Sequence, residues 1–485
     1  MKAGNARVGA AGEANPLAKL SAIDLLDGYR ARRFTPRDVI EEVIAALETT
    51  HASCNAVVTP MYAQARADAD AATAAWASGH KPGRLAGVPV TVKDLVYVAG
   101  VPALGGAPTK RDFVPTADAA AVTALKSAGA ILTCKTTTCE AGYKLTADSP
   151  VSGITRNPWD PARTSGGSSG GAAAAVAAGC GPLAIGTDGV GSIRVPSSFC
   201  GVVGLKPTFG LVPRSPGFSP PSWASLAHTG PIARTVADTA LLLEVIAAHD
   251  LRDAASLPIG SRSFDVNPGR LDGLKIGTSV DLGFAAVDAD VRKAFLSASE
   301  TLAGLGAGLV SDCLALAPDM LDRILKPIAY TEQAAAVANR DSEALAASDD
   351  DYRDVIACGS TYSGVDYMEA SYRRSALRSS FLDLFQKVDA LVTPTVAVTA
   401  FRAGKLGVDR VADTAVDRHL GWSPFSWPIN LTGLPAATVP CGFDGNGLPI
   451  GLQIVAPWLG EALILQIAAA FERARPWAQF RPRLS

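Results

Sequence analysis

Short apolar runs, too brief to be helices, recur along the chain and set its fold class. Residues 88–92, 130–134, 183–186, 274–280, 390–393 and 436–439 read as buried strands. Segments with helical periodicity lie among them, including 117–128, 236–248 and 290–305. Alternation of this kind predicts an α/β fold: a single large mixed, mainly parallel β-sheet covered by helices on both faces. Thr35-Pro36-Arg37-Asp38 supplies an N-cap, a proline at N1 and an acid at N3, so an amphipathic helix starts there. Asp444-Gly445-Asn446-Gly447 lies between apolar runs and predicts a hairpin, followed by a closing helix over 461–473. There is no internal repeat and no linker after about residue 60. The division expected is an N-terminal arm with helices over 1–60 and one catalytic domain over 61–485. Residues 1 to about 15 are small and polar and read as dispensable.

Composition narrows the function classes. With 44 basic and 46 acidic residues among 485, the formal charge of −2 gives no reason to expect nucleic acid or an anionic membrane as partner. The apolar runs are too short to span a bilayer, and the N-terminus has no apolar core of a signal peptide, so a cytoplasmic protein is expected. Eight cysteines are scattered without close pairs, and five histidines form no metal-binding pattern. The expectation is buried free thiols, no metal and no cofactor.

The stretch RTSGGSSGGAAAAVAAG, from Arg163 to Gly179, sets Ser168 and Ser169 between two glycine pairs. Gly166 to Gly170 satisfies the G-x-S-x-G pattern of a nucleophile elbow, but the residues before it carry Pro158 and Pro161 instead of a strand. A flexible Gly/Ser linker is the plainer reading. A second glycine-rich site follows a strand directly: residues 183–186 lead into Thr187-Asp188-Gly189-Val190-Gly191-Ser192-Ile193-Arg194. Ser192 is the better nucleophile position, with the backbone N–H groups of Gly189, Val190, Gly191 and Ser192 available to point at one oxyanion. An anion-binding or purely structural turn is the alternative. A serine needs a base. Lys93 ends the valine-rich run 88–92, where desolvation disfavours its ammonium; a surface lysine at a strand end is the ordinary reading.

Taken together, the blocks Gly166 to Gly171, Gly186-Thr187-Asp188, Ser192-Ile193-Arg194, Phe199-Cys200-Gly201 and Gly204 to Thr208 resemble the amidase signature family. The resemblance continues through Val92-Lys93-Asp94, Asn157-Pro158-Trp159, Asp389 to Thr395 and Asn430 to Gln453, and covers most of the chain from Lys93 to Trp477. It implies a Ser-Ser-Lys triad, with Ser192 as acylated nucleophile, Ser168 as bridging serine in a cis peptide and Lys93 as base. It also implies Ser169, Asp188 and Arg194 as supports of the catalytic loop, and Gly142 and Tyr143 in the acyl pocket. The expected function is hydrolysis of a small-molecule amide to acid and amine or ammonia. A homodimer is compatible with that reading.

The chain departs from the family's pattern at Val190, where a glycine is usual, and at Cys139 in Lys135-Thr136-Thr137-Thr138-Cys139-Glu140. Three other readings stand beside the free amidase: the glutaminase subunit of a tRNA-dependent amidotransferase, a Ser-His-Asp esterase using Ser168, and an inactive binding protein. Aromatic residues Tyr143, Trp422, Phe425 and Trp427 hint at aryl or medium aliphatic amides.

Overall fold

The computed structural model describes residues 16–79, 83–217, 226–260, 262–264, 266, 269–339 and 345–483. The N-terminal segment expected to be dispensable lies outside these residues. In chain order the strands of the main sheet are β1 (Val57–Pro60), β2 (Pro89–Lys93), β3 (Ile131–Thr136), β4 (Leu183–Asp188), β5 (Val203–Lys206), β6 (His228–Ala233), β7 (Lys275–Thr278), β8 (Gly308–Ser311), β9 (Ala390–Pro394), β10 (Ala436–Phe443) and β11 (Pro449–Val455). Their spatial order is β1-β3-β2-β4-β6-β5-β10-β11-β9-β7-β8.

The sheet is mixed, as expected. Its parallel ladders form two blocks, β3-β2-β4 and β9-β7-β8. The ladders between those blocks, and the one that adds β1, are antiparallel. The hairpin predicted around residues 444–447 joins β10 to β11, in a register running from Phe443 opposite Pro449 to Ala436 opposite Val455. Strand β6 is not apparent in the sequence because His228, Gly230 and Pro231 break its apolar pattern. Both its neighbours nonetheless pair with it, and all six of its residues are buried.

Alternation along β4 shows how both faces are covered. Leu183 and Ile185 join the main core, whereas Ala184 packs with Ala172, Ala173, Val176 and Ala177 of the helix Gly170–Ala178. Small side chains allow that helix to approach the sheet closely. Thr35 and Asp38 make the predicted reciprocal cap on the helix Pro36–Cys54, whose Val39, Val43 and Leu47 share an apolar cluster with Ala175.

Two consequences of this topology position the chemistry. Strands β2 and β4 are parallel neighbours, with Val90 opposite Leu183 and Val92 opposite Ile185, so Lys93 and Asp188 emerge at the same edge of the sheet. Carboxyl ends of parallel strands are where open α/β sheets generally bind ligands. Ile185→Ala should reduce unfolding stability by about 2–5 kcal/mol, because it empties a fully buried position beneath this edge. Urea denaturation followed by circular dichroism checks it.

Candidate active site

Lys93 is fully buried at the end of β2, and no carboxylate among the described residues pairs with it. Its Nζ donates to Ser168 Oγ at 2.7 Å, Ser169 Oγ at 2.9 Å, Thr187 Oγ1 at 2.8 Å and the Thr187 carbonyl at 3.3 Å. The nearest carboxylate in sequence, Asp94, is committed elsewhere: it accepts from Lys135 Nζ at 2.9 Å and from the Gly105 N–H at 2.7 Å. Burial therefore dominates at Lys93 and pushes its ammonium down to about 7, against upward contributions from Cys139 and Asp188. The valine-rich strand thus carries a buried lysine, not a snorkelling surface one.

The Gly/Ser stretch is ordered and buried, which excludes a flexible linker. The peptide between Gly167 and Ser168 is cis. Ser169 occupies the N-cap of the helix Gly170–Ala178, yet its hydroxyl caps nothing there. Instead it donates to the Thr187 carbonyl and accepts from the Thr187 N–H, which ties the helix start to β4 beside Lys93. Gly142 fits against this group: a Cβ there would stand 3.4 Å from Ser168 Oγ and 2.8 Å from Leu95 Cδ1, at a φ of +73°.

Ser192 lies on the turn after β4. Its carbonyl accepts from the Ser169 N–H at 3.1 Å, so the two serine segments are joined through the backbone. Its Oγ is buried and makes no hydrogen bond among the described residues. The Lys93–Ser168 contact is therefore formed in this structure, and a hydrogen bond between Ser168 and Ser192 is not.

Asp188 shapes the turn. Its carboxylate accepts from the Gly191 N–H at 2.7 Å, the Ile193 N–H at 3.2 Å, Arg194 Nε at 2.9 Å and Arg194 Nη2 at 3.0 Å. Burial opposes its ionisation, but the Arg194 charge and hydrogen bonds prevail and hold the carboxyl well below its usual range. Arg194 in turn donates to Asn430 Oδ1 at 2.5 Å and Gln453 Oε1 at 2.7 Å. This corrects the oxyanion expectation at one position: the Gly191 N–H is taken by a carboxylate acceptor. Those of Gly189, Val190 and Ser192 have no partner among the described residues. Gly191 itself has a φ of +128°, and a Cβ would lie 2.5 Å from Ser426 Oγ, so the turn needs glycine there.

The site opens into a cavity of about 380 Å3, whose lining includes Ser168, Thr187, Gly189, Val190, Gly142 and Tyr143. Val190 lines this space and is also a buried member of the main apolar core. The Tyr143 hydroxyl donates to Asp349 Oδ1 at 2.9 Å, and Lys144 bridges Asp148 and Asp349 at 2.6 and 2.7 Å. These bonds pin residue 349, the N-cap of the helix Asp350–Gly359, to the segment that carries Gly142. The other aromatic residues expected near substrate are core residues. Trp422, Phe425 and Trp427 are buried and do not line the cavity; Trp422 stacks on Phe199 with centroids 6.0 Å apart.

Two side chains that offered other chemistry are inert here. Cys139 is buried, and burial pushes its thiol up to about 11. His228 is buried with Nδ1 facing the Leu226 and Asp188 carbonyls, and burial holds it well below the usual imidazole range. No described histidine hydrogen-bonds Ser168 or Ser192, so none of them is placed to act as the base of a histidine-dependent esterase. Among the described residues no group of side chains could hold a metal ion, and no helix is long and apolar enough to cross a membrane.

Sequence reading misses the roles of Thr187, Asn430, Gln453 and Ser426. Thr187 sits inside a block that the sequence singles out, and its contact with Lys93 exists only once β2 is placed beside β4. The others lie more than 200 residues away in the chain from the loop they brace.

Comparison with known proteins gives a consistent result. A family model described as Amidase matches residues 38–465. An acylamidase of Rhodococcus erythropolis is 35% identical over 466 residues, spanning 96% of this chain and 97% of the relative. A glutamyl-tRNA(Gln) amidotransferase subunit of Synechococcus sp. (strain RCC307) is 37% identical over 488 residues, spanning 94% and 97%. The crystal structure of a bacterial aryl acylamidase of the amidase signature enzymes superposes with a TM-score of 0.88 at 29% identity, spanning 96% and 98%.

The pairing inside the site generates one stability prediction. Arg194→Met leaves Asp188 as a buried unpaired carboxylate and should cost about 3–5 kcal/mol of unfolding free energy, measured by chemical denaturation.

Proposed function

The chain belongs to the amidase family, whose amidase signature members hydrolyse amide C–N bonds, and from that premise we propose a covalent mechanism on Ser192 driven by Lys93 through Ser168. The observation that carries the proposal is the bond between Ser168 Oγ and a buried amine that has no carboxylate partner among the described residues. A lysine whose ammonium is pushed down to about 7 is an effective proton acceptor near neutrality.

In this mechanism substrate enters the cavity beside Ser168, with its carbonyl oxygen toward the Gly189, Val190 and Ser192 N–H groups. Neutral Lys93 takes the Ser168 proton as Ser168 takes that of Ser192, and Ser192 Oγ attacks the carbonyl carbon. The resulting oxyanion is held by preorganised backbone donors. Ser168 then returns a proton to the departing nitrogen as the C–N bond breaks, leaving an ester on Ser192. Water attacks that ester, passes its proton back along the same relay, and releases the carboxylic acid. The mechanism requires a Ser168–Ser192 contact that is not formed in this structure, where the Ser192 hydroxyl has no partner among the described residues. Ser169 and Thr187 orient the Lys93 amine, and Asp188 with Arg194 fixes the turn. All of the required groups come from the chain itself. Eight free cysteines fit a reducing, cytoplasmic setting.

A glutaminase subunit of a tRNA-dependent amidotransferase is the second reading, favoured by the relatives of that name. Assay of the purified chain alone separates the two. A free-standing amidase turns over simple aliphatic or aryl amides without partners, and a subunit that works only in its complex does not.

Two outcomes test the mechanism. Ser192→Ala should lower turnover by roughly 10^4-fold or more and abolish labelling by a fluorophosphonate; substantial remaining turnover removes Ser192 from its role. Activity should rise with pH through about 7 and stay high above it, because the protonated amine is the inactive form and its pKa is lowered, not raised. Lys93→Arg should be inactive throughout, since guanidinium holds its proton in this range. A Lys93→Arg enzyme with ordinary turnover and the same pH profile would sink the assignment.

A further inference from the structure

The cavity beside Ser168 is larger than one amide group requires; at about 380 Å3 it falls within the roughly 300–1,000 Å3 typical of small-molecule sites. Part of its wall is the helix Lys326–Val337, which contributes Glu332. An ionised carboxylate has about four lone-pair positions to satisfy. Among the described residues Glu332 receives one long bond, from the Tyr367 hydroxyl at 3.4 Å. Arg374, whose Nε is committed to the Leu431 carbonyl at 2.7 Å, and Arg214 act on it as charges through space. Desolvation pushes the Glu332 carboxyl up to about 7 against those charges, while the residue stays partly exposed where it lines the cavity.

We propose that Glu332 is a second polar subsite of this cavity, accepting the N–H of a second amide in the substrate, so that the chain acts on diamide or peptide-like molecules. Three features select that ligand. The missing partner of a carboxylate is a hydrogen-bond donor. Two arginine charges nearby disfavour an ammonium and favour a neutral N–H. Ala329, Ala335, Ala336, Val355 and Leu420 line the same cavity and suit an apolar spacer between the two amides. The proposal rests on the amidase reading, in which the scissile carbonyl sits beside Ser168.

The test uses a matched pair of primary amides. Each carries an acetamido group at the end of a butyl spacer; in one the acetamido nitrogen bears hydrogen, in the other methyl. A second pair places the acetamido group on the amine side of the scissile bond. Assayed at about pH 8.5, where a carboxyl of about 7 is ionised, N-methylation should lower the wild-type kcat/KM by about tenfold or more in at least one pair, as expected for losing a hydrogen bond to a charged acceptor. Glu332→Leu should shrink that ratio to less than about twofold, and Glu332→Gln, which keeps the shape and one acceptor oxygen, should retain part of it. Circular dichroism and a thermal melt establish that both variants fold. Equal rates within both pairs for the wild type, or an undiminished preference in folded Glu332→Leu, overturn the subsite. Cleavage of plain hexanamide by the wild type with no cleavage of either pair also overturns the subsite and leaves the amidase reading intact. Cleavage that survives Ser192→Ala overturns the serine mechanism instead.

Discussion

The ion pair between Asp188 and Arg194 is the constraint on which the site depends. Both side chains are fully buried, and removal of either would leave an uncompensated charge in the core. The carboxylate also gathers the Gly191 and Ile193 N–H groups, which forces the chain to curl immediately after β4 and sets Ser192 on the curl. Arg194 extends the constraint to Asn430 and Gln453, so a loop in the first half of the chain is braced by segments near its end. Buried polar groups are stable only when fully bonded, and here the bonding also fixes a backbone conformation.

A second organising feature is the distribution of carboxylates among buried lysines. Lys135 receives Asp94, and Lys144 receives Asp148 and Asp349. Lys93 receives only hydroxyls and a carbonyl. The first two are structural cations that tie segments together. Lys93, one residue from Asp94, points to the serines, and burial without a counter-charge lowers its ammonium, as the proposed base requires. All three are almost completely buried, as is Lys206, which also has no carboxylate partner among the described residues and donates to the Pro207 and Leu434 carbonyls; contact with the serines is what sets Lys93 apart.

Much of this was legible in the sequence because it depends on local pattern. Residue 92 closes a valine run, so Lys93 had to end a strand; Thr35 to Asp38 had to cap a helix; Asp444 to Gly447 had to turn. The glycines around Ser168 and Ser192 marked places where backbone approaches closely, and family resemblance supplied the roles. What failed to be legible was long-range. His228 to Ala233 became a central strand because two neighbours claimed it, against its own composition. Trp422, Phe425 and Trp427 look like pocket residues by type and are core residues by position.

Sequence alone determined the α/β class, the strand ends that carry Lys93 and Asp188, and the serine pair, because periodicity and glycine placement act over a few residues. Tertiary structure alone decided that β2 lies beside β4, that Asp94 turns to Lys135 and leaves Lys93 without a counter-charge, and that the Gly191 N–H is taken by Asp188. It also decided that Glu332 faces the cavity that Ser168 enters, across 164 positions of chain. Partnership and burial are properties of the packed whole; a linear pattern fixes which groups are present and not which groups meet.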